Sequence, residues 1–163
     1  MTQINLAQLN INSLISIYKR YALRDLVKSK NLDIVLLCET KLNRKYCPNF
    51  DGFILHRMDR NNGRGGGTAI LYKDSYKVDI LYPNIDLEIS CISLHFTVSK
   101  ILLVSIYIPP DKLNIVNLNQ LFIFFFKTVT NHLLLVGILI ATTLNGVQFT
   151  PPEMVNCFLI GSL

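Results

Sequence analysis

Acidic side chains run out early in this chain. Beyond Asp111 the one carboxylate is Glu153, so the last third of the sequence holds no pair of acids from which a metal centre or an acid–base couple could be built. The four cysteines, Cys38, Cys47, Cys91 and Cys157, form no C-x-x-C pair and have no histidine at ligand spacing. That excludes a zinc ribbon or finger and leaves the reduced thiols of an intracellular protein. No charged segment followed by an apolar run opens the sequence, so a secreted protein is not expected. The most apolar stretch, Leu121 to Ala141, is broken by Lys127, Thr128, Thr130, Asn131 and His132, and only nine residues, Leu133 to Ala141, run on uninterrupted. A spanning helix needs roughly 20. The stretch therefore reads as a buried strand, and no membrane partner is expected. No G-x-x-x-x-G-K-S/T segment occurs, which excludes a nucleotide cofactor held in the P-loop manner.

What is present is a single domain's worth of chain, 163 residues, half of them hydrophobic and 17% charged. The net charge of +5 is unevenly spread. Residues 1–77 carry 13 Lys/Arg against 6 Asp/Glu, whereas residues 78–163 carry 3 against 5. A basic front half suits a polyanion, because Lys and Arg on phosphates supply the sequence-independent part of nucleic-acid affinity. A solvated surface that happens to be basic fits charge alone equally well.

Ile4 to Asn10 reads as a first strand. A helix follows from Ser16, with Ile15, Tyr18, Ala22 and Leu26 on one face and Lys19, Arg20, Lys28 and Lys30 largely off it. Asp33 to Cys38 is an Ile/Val/Leu run suited to a strand buried on both faces. This strand–helix–strand opening implies an α/β layered domain. Short strands are predicted at Phe53–His56, Thr68–Tyr72 and Tyr76–Leu81. Glu88–Phe96 alternates as a half-buried strand would, and Lys100–Tyr107 is stopped by Pro109-Pro110. The 3,4,3 spacing of Ile115, Leu118, Phe122 and Phe125 predicts a helix, with Asn114 as its N-cap. Leu133–Ile140 is the last strand; beyond Asn145 the periodicity fades.

Among chemistry-bearing residues, Glu39 directly follows a buried strand, where open α/β sheets place their sites, and a carboxylate there can hold a hard divalent cation. Capping or plain exposure is the competing reading. Asn10 and Asn12 follow the first strand, where Asx-turn chemistry would also account for them. Tyr107 ends its strand and reads equally as a sheet-edge tyrosine. The loop 57–67, RMDRNNGRGGG, bears Arg57, Arg60 and Arg64 and could track a phosphate backbone, or be a hairpin tip.

Four segments together, Leu9–Leu14 (LNINSL), Asp33–Leu42 (DIVLLCETKL), Ser105–Pro110 (SIYIPP) and His132–Ala141 (HLLLVGILIA), resemble successive strand ends of the endonuclease/exonuclease/phosphatase family. The likeness is to the endonuclease domain of non-LTR retrotransposons in particular, whose Gly-Gly-Gly-Thr-Ala-Ile run Gly65–Ile70 reproduces. The resemblance implies a DNase-I-like α/β fold, two mainly antiparallel sheets packed face to face with helices outside. It implies Mg²⁺ as cofactor, DNA as partner and, for a functional copy, a nuclear location. It makes Glu39 the metal-binding residue of a Glu-Thr signature, Asn10 the amide beside metal and scissile phosphate, Asn12 a supporting residue, and Tyr107 a phosphate-orienting hydroxyl. Arg44, Lys45, Arg57, Arg60 and Arg64 are then candidates for the nucleic-acid face. In the family the fourth segment carries Asp and Asn and a late Ser-Asp-His follows. Here those two positions are Ile138 and Ile140, and no Asp-His pair occurs. The likeness covers about residues 4–146 as a partial domain, with its C-terminal part missing and 147–163 a divergent tail. The implied outcome is an endonuclease by lineage that is inactive in this chain. The alternative is a non-catalytic basic nucleic-acid-binding remnant or a pseudogene fragment.

Overall fold

A computed structural model describes residues 4–60, 65–96, 100–108, 119–121 and 123–124, and the backbone of 133–140. Among the described residues, eight strands form two four-stranded sheets. The first has the order β1-β2-β4-β3, built from β1 (Leu6–Asn10), β2 (Ile34–Cys38), β3 (Phe53–Met58) and β4 (Thr68–Lys73). The second has the order β5-β6-β7-β8, built from β5 (Val78–Leu81), β6 (Glu88–His95), β7 (Lys100–Ile108) and β8 (Leu133–Ile140). Only β1–β2 and β7–β8 are parallel pairs; the others are antiparallel. A parallel pair needs a crossover, and between β1 and β2 it is the helix α1 (Ile17–Ser29).

Alternation along β2 and β4 sorts the core into layers. Val35, Leu37, Ala69 and Leu71 pack with Leu14, Leu23 and Val27 beneath α1. Ile34, Leu36, Ile70 and Tyr72 face the other way and meet Ile92, Leu94 and Leu103 of the second sheet. Ile89, Cys91, Leu102, Val104, Ile106 and Ile108 form a third layer with Leu121, which lies in a helical segment on the far side. The sandwich with outer helices is thus as the sequence implied. Both faces of β2 are buried, as its unbroken aliphatic run required.

Three local expectations need correction. The buried stripe of α1 runs through Leu23 and Val27, while Tyr18 is 82% exposed and Ala22 lies in solvent. Lys19 and Arg20, expected off the buried face, are half-buried, their aliphatic stems along the protein and their nitrogens donating to the carbonyls of Ile11 and Ile15. Strand β6 is buried along both faces rather than one, because the third layer covers the side that carries Ile89 and Cys91. For the helix expected over 115–125, residues 119–121 and 123–124 are helical. Asn114, Ile115, Leu118, Phe122 and Phe125 lie outside the described residues, as do Pro109-Pro110, Arg64 and the 147–163 tail.

Small polar side chains join the two sheets at one end. The Ser105 hydroxyl donates to the Leu37 carbonyl at 3.0 Å, and Cys38 Sγ lies 3.4 Å from the Ile106 carbonyl. Thr68 and Ser90 share a hydrogen bond of 2.9 Å. All these groups are buried, so each bond removes a desolvation penalty as well as fixing the sheets' relative position.

Candidate functional site

Strand direction alone brings the candidate residues together. The parallel strands β1 and β2 end side by side, Asn10 opposite Cys38. Antiparallel β4 begins at that end, opposite Cys38, with Thr68. In the second sheet β7 ends there, its penultimate residue Tyr107 opposite Glu88 at the start of β6. Strand β8 runs parallel to β7 in a register that sets Ile138 opposite Ile106, Leu139 opposite Tyr107 and Ile140 opposite Ile108. Positions 138 and 140 therefore flank the Tyr107 level of the ladder.

Three loops are zipped together above these strand ends. The N–H groups of Ile11, Ser13 and Leu14 donate to the carbonyls of Cys38, Glu39 and Thr40, and those of Thr40 and Lys41 donate to Gly67 and Gly66. Among the described residues five non-glycines have left-handed backbone, and four of them, Asn12, Ser13, Glu39 and Lys41, lie in these loops. Such conformations cost about 1–3 kcal/mol each and persist where surrounding bonds over-determine them. Gly67 (φ +83°) closes the third loop. A Cβ there would stand 2.7 Å from Thr40 Oγ1, so only glycine fits.

Within this frame Asn10 Nδ2 donates to Glu39 Oε1 at 2.9 Å, while Asn10 Oδ1 accepts the Asn12 N–H at 3.0 Å. The Asx-turn reading of Asn10 is realised, and the same side chain also partners Glu39. The Lys41 ammonium stands 3.6 Å from Glu39 Oε2 and donates to Asn12 Oδ1. Tyr107 joins from the other sheet. Burial first, and then the Glu39 charge and a hydrogen bond to it, push its hydroxyl above the ordinary tyrosine range, against the pull of Arg60. The neighbouring Cys38 thiol is pushed up to about 11, chiefly by burial, and is inert as a nucleophile.

Two participants escaped the sequence reading. Glu88 accepts from Arg60 Nε and from the Gly67 N–H, both at 2.5 Å, and so links the glycine loop to the second sheet. Lys41 was visible only as one more basic loop residue. Of the candidate nucleic-acid contacts, Arg44 and Lys45 are exposed. Arg57 is turned to Asp59 and to the carbonyls of Tyr46 and Asn43, and Arg60 to Glu88 and to the face of Tyr107, 6.0 Å from its ring centre.

Two mixed sheets face to face, helices outside and polar strand ends gathered at one edge define a DNase-I-like sandwich. The chain belongs to the Endonuclease/Exonuclease/phosphatase family, whose model matches residues 7–151. No curated protein sequence matches it. Among solved structures it is similar to the endonuclease domain of TRAS1, a telomere-specific non-LTR retrotransposon. That match has 19% identity and a TM-score of 0.64, over 83% of this chain and 57% of that one. An AP endonuclease from Archaeoglobus fulgidus is similar at 18% identity and TM-score 0.53, over 78% and 52%. TDP2 of D. rerio, solved with a single-strand DNA product, matches at 12% and 0.53, over 82% and 58%. The chain thus spans between about half and three fifths of the length of these structures.

Proposed function

We propose that the chain is, by descent, the endonuclease domain of a non-LTR retrotransposon, a fold built for Mg²⁺-dependent cleavage of DNA, and that it holds DNA without cutting it. The observation that carries this reading is the meeting of Asn10, Glu39 and Tyr107, from three separate strands, at one end of the sandwich. An amide, a carboxylate and a phenol converging there suit an arrangement that orients a phosphate and its attacking water. The fold shared with the TRAS1 domain supports the lineage, and the basic N-terminal half with exposed Arg44 and Lys45 supports a DNA partner, which for a functional copy would be met in the nucleus.

Loss of cleavage follows from what stands around Glu39. The family is generally metal-dependent, and a hard divalent cation needs several oxygens, carboxylates foremost. Among the described residues no three His, Cys, Asp or Glu side chains are grouped to hold one. Both Glu39 oxygens, Asn10 Oδ1 and Asn12 Oδ1 already face N–H donors. The residues present do not fit the metal. In the fourth segment Ile138 and Ile140 offer no oxygen to replace those lost.

Supercoiled plasmid with Mg²⁺, beside a filter-binding titration over a range of salt, tests both halves. The expected result is binding whose log–log salt slope grows by about one for each phosphate neutralised, with no nicking. Efficient nicking that disappears in Glu39→Ala would overturn the loss of cleavage. Binding indifferent to salt would remove DNA as the partner.

A further inference from the structure

The disagreement between the Glu39 centre and a divalent cation has a specific source, and the geometry points to Lys41: its ammonium is a resident cation that fills the centre and closes it to metal. Lys41 is held there from both ends. Its backbone N–H donates to the Gly66 carbonyl at 2.8 Å, and its backbone is left-handed (φ +53°). At the far end the ammonium meets the carboxylate of Glu39 at 3.6 Å and the amide oxygen of Asn12. About a third of the Lys41 side chain and a fifth of Glu39 remain exposed, so the pair is more enclosed than a pair on an open surface.

The charge balance decides the competition. Asn10 and Asn12 are neutral, and the other carboxylate of the cluster, Glu88, is taken up by Arg60 and the Gly67 N–H. Glu39 thus supplies one negative charge and Lys41 cancels it. A divalent ion taken up by this one carboxylate would meet an ammonium that stands 3.6 Å from Glu39 Oε2. Repulsion between a doubly charged ion and an ammonium about 4 Å apart is enough, even in water, to weaken binding about tenfold or more. The inference rests on the reading that the centre refuses metal, and goes beyond it by naming the group responsible.

Mn²⁺ binding to the full chain, followed by the electron paramagnetic resonance of the free ion with DNA absent, tests it. Wild type is compared with Lys41→Gln, Lys41→Gly and the double variant Lys41→Gly/Glu39→Gln, all checked by circular dichroism. Lys41→Gly relieves the left-handed backbone, so at least one single variant is expected to fold. Both single variants should bind Mn²⁺ about tenfold or more tightly than wild type, and the double variant should lose the gain. Equal binding by wild type and the single variants would overturn the inference, whether that binding is tight or absent. A gain that survives Glu39→Gln would place the new site elsewhere and overturn it too. Equal and tight binding would also remove the metal argument for loss of cleavage, whereas equal and absent binding would leave that argument standing and overturn the role of Lys41 alone, so the two proposals fail distinguishably.

Discussion

Replacing Glu88 by alanine should loosen the site from the side that the sequence does not advertise. The carboxylate holds two donors at once, Arg60 Nε and the Gly67 N–H, each at 2.5 Å, and its side chain is only 15% exposed. Removing it leaves the part-buried Gly67 N–H without its acceptor, which costs about 1–3 kcal/mol. The ion pair adds less. Arg60 is about a quarter exposed and water can take over its charge, so the surface range of about 0–1 kcal/mol applies. The total is about 2 kcal/mol. With a urea dependence of about 2 kcal/mol per molar, the unfolding midpoint should fall by about 1 M. Glu88→Gln keeps an oxygen for one donor and loses the charge, so it should cost about half as much. Chemical denaturation of the three proteins, with the slope held common, is the assay. A midpoint shift under about 0.2 M for Glu88→Ala, or a glutamine as costly as the alanine, would refute this account of the latch.

Gly67→Ala places a Cβ 2.7 Å from Thr40 Oγ1 at a left-handed φ, and should cost about 1–3 kcal/mol, lowering the melting temperature by several degrees; an unchanged melt would show that the loop adapts. Leu36→Ala, at a fully buried position between the sheets, should cost about 2–5 kcal/mol in the same denaturation assay, and a loss under 1 would mean that the two sheets are not packed as described. Burial holds His56 below its ordinary value of 6.5, so the unfolded chain binds the proton more readily, and stability present above pH 6.5 should be lost as pH falls below it. His56→Gln should flatten that stretch of the stability–pH curve, and a curve unchanged by the substitution would exclude His56 as its source. Asp33 acts lower on the scale: burial raises it, but bonds from the Asn5 N–H and Lys73 outweigh burial and hold it below 3.8. Its contribution should be complete above pH 3.8 and vanish in more acid solution, a loss that Asp33→Asn would abolish.

The strands were legible because their signal is local. The aliphatic run of Ile34–Cys38 has no competing interpretation, and Gly65–Gly67 announces the turn before Thr68. Asn10, Glu39 and Tyr107 could be picked out as strand-terminal polar residues, and strand direction then determines that they share an end. What stayed hidden depends on partners distant in sequence. The face of α1 is set by where Leu23 and Val27 find the sheet, so Tyr18 and Ala22, which match the period as well, end in solvent. Nothing in the alternation of Glu88–His95 reveals a third layer over its second face. Glu88 reads as an ordinary strand opening until Arg60, 28 residues earlier, is folded against it. Lys41 looks like any loop cation until Glu39 and Asn12 are folded beside its ammonium.

The hydroxyl of Ser105 grips the last carbonyl but one of β2, and the next residue but one along β7 from Ser105 is Tyr107, as Glu39, just past the end of β2, is the next but one from Leu37. The spacing between phenol and carboxylate is therefore dictated from below, by a serine and two peptide groups that never meet a substrate. Such a scaffold does not depend on the reactive groups it displays. Mutational drift can strip a centre of its acids one by one while the sheet-to-sheet bonds beneath keep their dimensions. Lineage can then stay readable in shape whatever becomes of the chemistry, and such a cradle is a place where a new binding specificity can begin.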